Sequence, residues 1–189
     1  MINGELYDSS DSFLVELRSK CHRLCQKYNA SLDSDKELRE AILKEMGVKL
    51  GKNVYLQGPI YFDYGINITI GDNSYANFNF TILDTCQVTI GKNVFIGPGV
   101  SVLTPLHPLR YKERNMFVNK DGSIHDQEYG APIEIKDNCW IASNVSILPG
   151  VTIGEGCVIG AGSVVTHDIP DNSLAVGNPC KVIKQIDND

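Results

Sequence analysis

The sequence predicts a mainly β fold, a parallel solenoid of short strands wound into three-sided coils, with a short helical segment in front of it. The first observation is that Ile135, Ile141, Ile147, Ile153, Ile159 and Val165 recur every six residues without a miss. Four positions after each stand Cys139, Val145, Val151, Cys157, Ser163 and Ile169, mostly small. The second is that Leu50, Leu56 and Phe62, then Ile70, Ala76 and Ile82, then Ile90, Ile96 and Val102 form triplets starting twenty residues apart. The third is that these triplets begin alike, LGKN, IGDN and IGKN, and a fourth copy, IKDN, begins at Ile135. Repetition at a fixed short period is the mark of a solenoid, in which each unit buries its apolar side only by stacking on the next.

Residues 1–49 form the N-terminal helical segment. Phe13, Leu14, Leu17, Cys21, Leu24, Cys25 and Tyr28 recur at helical spacing and predict one apolar face. Ser34 and Glu37 have the spacing of a capping box that opens a second helix. Leu38, Ile42 and Met46 continue it, and Gly47 is placed to end it. The solenoid spans 50–170. Each six-residue side holds one short strand and one turn, with the aliphatic residue pointing inward and Gly or Asn supplying positive φ at the turn. The early coils carry two extra residues at one corner, and a 25-residue insertion between Val102 and Ile135 makes a loop over 104–132. Residues 171–189, after Pro170, are expected to cap the open end of the last coil.

A chain of 189 residues fits one domain. A net charge of −6 with no run of Lys or Arg argues against nucleic-acid and anionic-membrane partners. No stretch approaches the roughly 18 apolar residues of a membrane span. The start, MINGELYDSSD, lacks the charged and apolar regions of a secretory signal, so a cytoplasmic location is expected. The six cysteines form no CxxC pair. Cys86, Cys139 and Cys157 occupy small-residue slots of the repeat and read as buried thiols. Cys21 and Cys25 lack the further ligands a zinc site needs.

Three segments, YFDYGINITIGDNSYANFN, ILPGVTIGEGCVIGAGSVVTHDIP and AVGNPCKVI, closely resemble the maltose and galactoside O-acetyltransferase family, which includes the nodulation acetyltransferase. The resemblance runs from GELY at residue 4 to the end. It implies a left-handed parallel β-helix, a homotrimer with sites between subunits, acetyl-CoA as co-substrate, a sugar hydroxyl as acceptor and no metal. The helical start and the GELY segment point to the sugar branch rather than to the related xenobiotic acetyltransferases. A non-catalytic scaffold on the same solenoid remains the alternative, because a fold alone implies no activity.

Acetyl transfer from a thioester to a hydroxyl needs a base, donors for the oxyanion, and a groove for the long coenzyme arm. His107, in TPLHPLRYKERN where the repeat breaks, matches the family's catalytic histidine. Glu128 corresponds to a position close to that histidine, and either orients the imidazole or is a solvated loop charge. Asn77 in YANFN matches an asparagine lining the transfer site; the other reading is an asparagine ladder of the kind that stabilises solenoid turns. Arg18, Asp63 and Asp84 resemble acceptor-pocket positions. Trp140, Ser143, Ala161, Thr166, Lys181 and Lys184 fall on positions that contact the coenzyme in the family, with the two lysines placed to meet its phosphates. His167 stands where the family usually carries Lys, and His22 and His125 read as ordinary polar-surface histidines. With no serine or cysteine placed for an acyl-enzyme, the expectation is direct transfer in a ternary complex. A zinc hydrolyase on this solenoid needs three converging histidines, which the spacing of these four does not supply.

Overall fold

The computed structural model describes residues 1–120 and 122–188. The chain winds into a parallel β-solenoid of about six turns, with three flat faces. The first face stacks Lys49–Leu50, Ile68–Ile70, Val88–Ile90, Ile133–Ile135 and Thr152–Ile153. The second stacks Tyr55–Leu56, Tyr75–Ala76, Phe95–Ile96, Trp140–Ile141, Val158–Ile159 and Ser173–Val176. The third stacks Ile60–Phe62, Phe80–Leu83, Ser101–Leu103, Ser146–Ile147 and Val164–Val165.

The register follows the repeat residue for residue. Ile70, Ile90, Ile135 and Ile153 align on the first face, Leu56, Ala76, Ile96, Ile141 and Ile159 on the second. Phe62, Ile82, Val102, Ile147 and Val165 align on the third. All of these are buried, so the core is three columns of stacked side chains. Strict recurrence of shape lets each coil fill the hole left by the one below.

The turns explain the GKN and GDN motifs. Asn53, Asn73, Asn93 and Asn138 all have φ between 54° and 62°, the left-handed conformation that Asn tolerates better than most residues. Their side chains form a ladder: Asn53 donates to Asn73 (3.0 Å), Asn73 to Asn93 (3.4 Å), Asn93 to Asn138 (3.1 Å) and Asn138 to Glu155 (3.0 Å). The preceding glycines are needed for a different reason. A Cβ on Gly91 would lie 2.7 Å from the Asp137 amide nitrogen and 2.8 Å from the Lys136 carbonyl carbon, inside the next coil.

Helix α1 (Ser12–Asn29) is capped by the Asp11 carboxylate, which accepts from the Phe13 and Leu14 amides. It buries Cys21, Leu24, Cys25 and Tyr28 against the strand Ile60–Phe62. Phe13, expected on that apolar face, is 65 % exposed, since the buried stretch of the helix begins only at Cys21. Helix α2 (Lys36–Met46) ends at Gly47 with φ 88°, as its sequence suggests, but the expected capping box does not form. The helix begins after Asp35, whose carboxylate turns back to accept from the Leu32 amide (3.0 Å). Residues 1–11 also depart from the helical reading, since Tyr7–Asp8 is a strand. All six cysteines are free and buried. Beyond Pro170, Ser173–Val176 extends the second face and Lys181–Gln185 folds back on it antiparallel.

Candidate active site

The inserted loop leaves and rejoins the solenoid at one buried residue. Thr104 donates its hydroxyl to the Leu83 carbonyl (2.7 Å) and accepts from the Cys86 amide (2.9 Å), and its own carbonyl receives the Ala131 amide (3.0 Å). Gly130 fits here for want of a side chain: a Cβ would stand 2.9 Å from both Cys86 Sγ and the Thr104 oxygen. The outgoing strand Pro105–Leu106 then pairs antiparallel with the returning strand Gln127–Gly130. The N-terminal strand Tyr7–Asp8 closes the other edge, with Tyr7 opposite Glu128 and Asp8 opposite Gln127.

This small sheet brings His107, one residue past Leu106, to Glu128, one residue before Tyr129. His107 Nε2 and Glu128 Oε1 are 3.8 Å apart, an ion-pair distance rather than a hydrogen bond, with the imidazole half exposed and the carboxylate 20 % exposed. The Tyr7 hydroxyl donates to the other carboxylate oxygen, Oε2, at 2.7 Å. Asp126 lies on the same side, its ligating oxygen within 4.8 Å of the polar atoms of His107 and Glu128, and it accepts from the Ser9 hydroxyl at 2.5 Å. Burial, then the bond to Glu128, pushes the Tyr7 phenol above its ordinary value, so it stays a proton donor throughout the working pH range.

The acceptor-pocket residues divide. Arg18 donates to the Tyr64 hydroxyl (2.9 Å) and reaches the Ser9 carbonyl (3.5 Å), near enough to Asp63 and Glu128 to feel both charges. Asp63 pairs with His22 at 3.2 Å, and His22 lies half exposed on the helix flank, as its sequence suggests. A cavity of about 270 Å³ opens beside them between α1 and the third face, with His22, Tyr61 and Asp63 on its wall. Asp84 is different: fully buried, it accepts from the Tyr64 amide (2.8 Å) and the Asn67 amide (3.3 Å). It therefore holds the corner where the early coils carry their extra residues, and faces no open pocket. Asn77 stands outside the asparagine ladder; its Oδ1 accepts from the Phe78 amide (2.8 Å), which leaves Nδ2 without a partner among the described residues.

The residues expected to contact the coenzyme fall on two sides of one chain. Ser143 and Ala161 stack in register two residues past Ile141 and Ile159, at the corner between the second and third faces. Trp140 is 55 % exposed on the second face, and Lys181 and Lys184 lie exposed on its edge strand. Thr166 follows the third face, its hydroxyl bonded to His167 Nδ1 at 2.8 Å. A full face separates Trp140 from Thr166, so a single chain does not gather all six into one groove.

Sequence reasoning missed the whole N-terminal contribution. His125, read as a plain polar residue, is held by Asp8 and by the Ser10 (3.1 Å) and Ser123 (2.6 Å) hydroxyls, and stacks on Phe117 with centroids 5.8 Å apart. Bonds from the Ser10 hydroxyl, and then the His125 ring, hold the Asp8 carboxyl below the usual range. The one available signal was the polar run DSSD directly after Tyr7, too short to point to a partner 120 residues away.

Two family descriptions match the chain: the maltose acetyltransferase hexapeptide capping motif over residues 1–46, and the bacterial transferase hexapeptide (six repeats) over residues 132–167. The galactoside O-acetyltransferase of Escherichia coli (strain K12) is 45 % identical over 185 residues, 98 % of this chain and 87 % of that protein. The crystal structure of a maltose O-acetyltransferase from Clostridium difficile 630 superposes with a TM-score of 0.90 at 44 % identity, covering 99 % of this chain and 95 % of that one. A galactoside acetyltransferase in complex with coenzyme A superposes with a TM-score of 0.87 at 43 % identity, covering 98 % and 88 %.

Proposed function

The chain belongs to the maltose and galactoside acetyltransferase family of hexapeptide-repeat proteins, and from that membership we propose that it moves an acetyl group from acetyl-CoA to a sugar hydroxyl, with His107 as the general base. The observation that carries the assignment is the approach of His107, just past the strand Pro105–Leu106, to Glu128 on the strand that pairs with it. The imidazole takes the proton of the acceptor hydroxyl as its oxygen attacks the thioester carbonyl. The C–S bond then breaks, the thiolate receives that proton, and an O-acetyl sugar and free CoA result. Glu128 favours the imidazolium formed in between. The unpartnered amide of Asn77 is available to donate to the oxyanion. All six thiols are buried, which supports direct transfer within a ternary complex rather than an acyl-enzyme.

The residues present fit the coenzyme. Small Ser143 and Ala161 leave the corner shallow enough for a pantetheine arm to approach the backbone, and Lys181 and Lys184 are free to meet phosphates. Because Trp140 and Thr166 lie on opposite sides of one chain, the groove is read as shared between two subunits of a homotrimer. An outward aromatic column on the second face supports association: Tyr55 and Tyr75 stack at 6.1 Å, followed by exposed Phe95 and Trp140. Arg18 and Asp63 are the groups read as binding the sugar. The cytoplasm, where acetyl-CoA is made available, is the proposed location; no helix of the described residues is long and apolar enough to cross a membrane.

The test is CoA release, followed with a thiol reagent, from purified protein given acetyl-CoA and a panel of sugars. Release should depend on the sugar and fall by about 10² or more in His107→Ala. Undiminished turnover in that variant would remove His107 from the mechanism.

A further inference from the structure

We propose that Tyr7, on the N-terminal strand, is a positioning residue of the active site, which holds Glu128 turned toward His107. The inference rests on the reading of His107 as base. Three consecutive N-terminal residues grip the inserted loop with their side chains: Tyr7 bonds Glu128, Asp8 bonds His125, and Ser9 bonds Asp126. The backbone pairing sets the register of this clamp, with Tyr7 directly opposite Glu128. A carboxylate on a surface loop is otherwise free to swing into water, where it does nothing for an imidazole.

The geometry assigns each carboxylate oxygen one task. Oε2 accepts the phenol hydrogen bond at 2.7 Å, which restrains the carboxylate, while Oε1 is left facing the imidazole at 3.8 Å. At that distance Glu128 makes no hydrogen bond to the ring, so its influence on His107 is electrostatic and depends on its being held still. A phenol suits this purpose: half-buried and unable to ionise in the working range, it adds no competing charge. Arg18, the nearby cation, is drawn toward Tyr64 and the Ser9 carbonyl, and does not ion-pair with Glu128. Hence the N-terminal segment belongs to the catalytic centre as well as to the cap on the solenoid.

Tyr7→Phe keeps the ring and removes only the donor. The measurement is kcat and KM for Tyr7→Phe, Glu128→Gln and the double variant, beside His107→Ala. Tyr7→Phe should lower kcat about tenfold, the scale of one hydrogen bond to a charged group, with KM for acetyl-CoA nearly unchanged. Glu128→Gln should lower kcat with KM equally little changed, and the double variant should be no slower than Glu128→Gln alone. Ser10→Ala, whose hydroxyl bonds Asp8 and His125 and not Glu128, should keep kcat close to the parent's. If Tyr7→Phe superimposes on the parent while Glu128→Gln is slow, or if the two losses multiply, Tyr7 does not act through Glu128. If His107→Ala keeps full turnover, the underlying reading of the site fails instead. Should Tyr7→Phe fold poorly alone, Glu128→Gln with and without it carries the test, and a further drop in the double overturns the proposal.

Discussion

Asp84 is the one acidic side chain buried completely among the described residues, and it serves the corner, not the chemistry. Burial raises its carboxyl above the ordinary 3.8, opposed by bonds from the Tyr64, Gly65 and Asn67 amides. The sign follows from linkage: a group that holds its proton more tightly when folded contributes most below its unfolded value, and that contribution is lost as pH rises through the folded one. Asp84→Asn should destabilise the protein by about 1–3 kcal/mol, because an amide presents a donor where amide donors already converge. The parent's advantage over this variant should narrow as pH rises from about 4 to 7, read from urea unfolding at each pH. A gap that widens with pH would reverse the assignment. At the same scale His22 and His125, both plain in sequence, prove to be partnered, since the carboxylates that hold them lie 41 and 117 residues away.

At the scale of elements, the asparagine turns are the joints of the solenoid. Asn93 combines a left-handed backbone at φ 54° with ladder bonds to Asn73 and Asn138. Asn93→Ala should cost about 1–2 kcal/mol, since alanine both strains that conformation and loses the ladder. Asn93→Gly should cost less, because glycine adopts positive φ freely and forfeits only the exposed side-chain bonds. Thermal unfolding of the two variants checks the order, and an equal loss would assign the stability to the ladder alone. The inserted loop is an element of another kind. Its core strand Gln127–Gly130 is held on one edge by Pro105–Leu106 and on the other by Tyr7–Asp8, so it is ordered from outside the repeat.

At the scale of the molecule, the exposed aromatic column and the spread of the proposed coenzyme contacts over two sides of the chain are the two features behind the proposed assembly. Sedimentation equilibrium should give three times the 20.8 kDa chain mass, and turnover per chain should fall on dilution as that assembly dissociates. A fully active single chain would mean that one subunit completes its own groove.

The sequence by itself determined the solenoid, its three core columns, the corner with extra residues, the buried thiols and the place where the repeat breaks. These follow from local period, and a repeat pairs with its own neighbours, so periodicity and contact carry the same information. The resemblance added His107 and pointed to Glu128 as a residue close to it, either orienting the imidazole or merely solvated. Only the tertiary structure decided that Asp84 is a corner brace, that Phe13 is exposed, and that Asp35 rather than Ser34 precedes α2. It alone placed Tyr7 against Glu128, because that contact joins residues 121 apart across a non-repeating sheet, whose pairing no local pattern encodes.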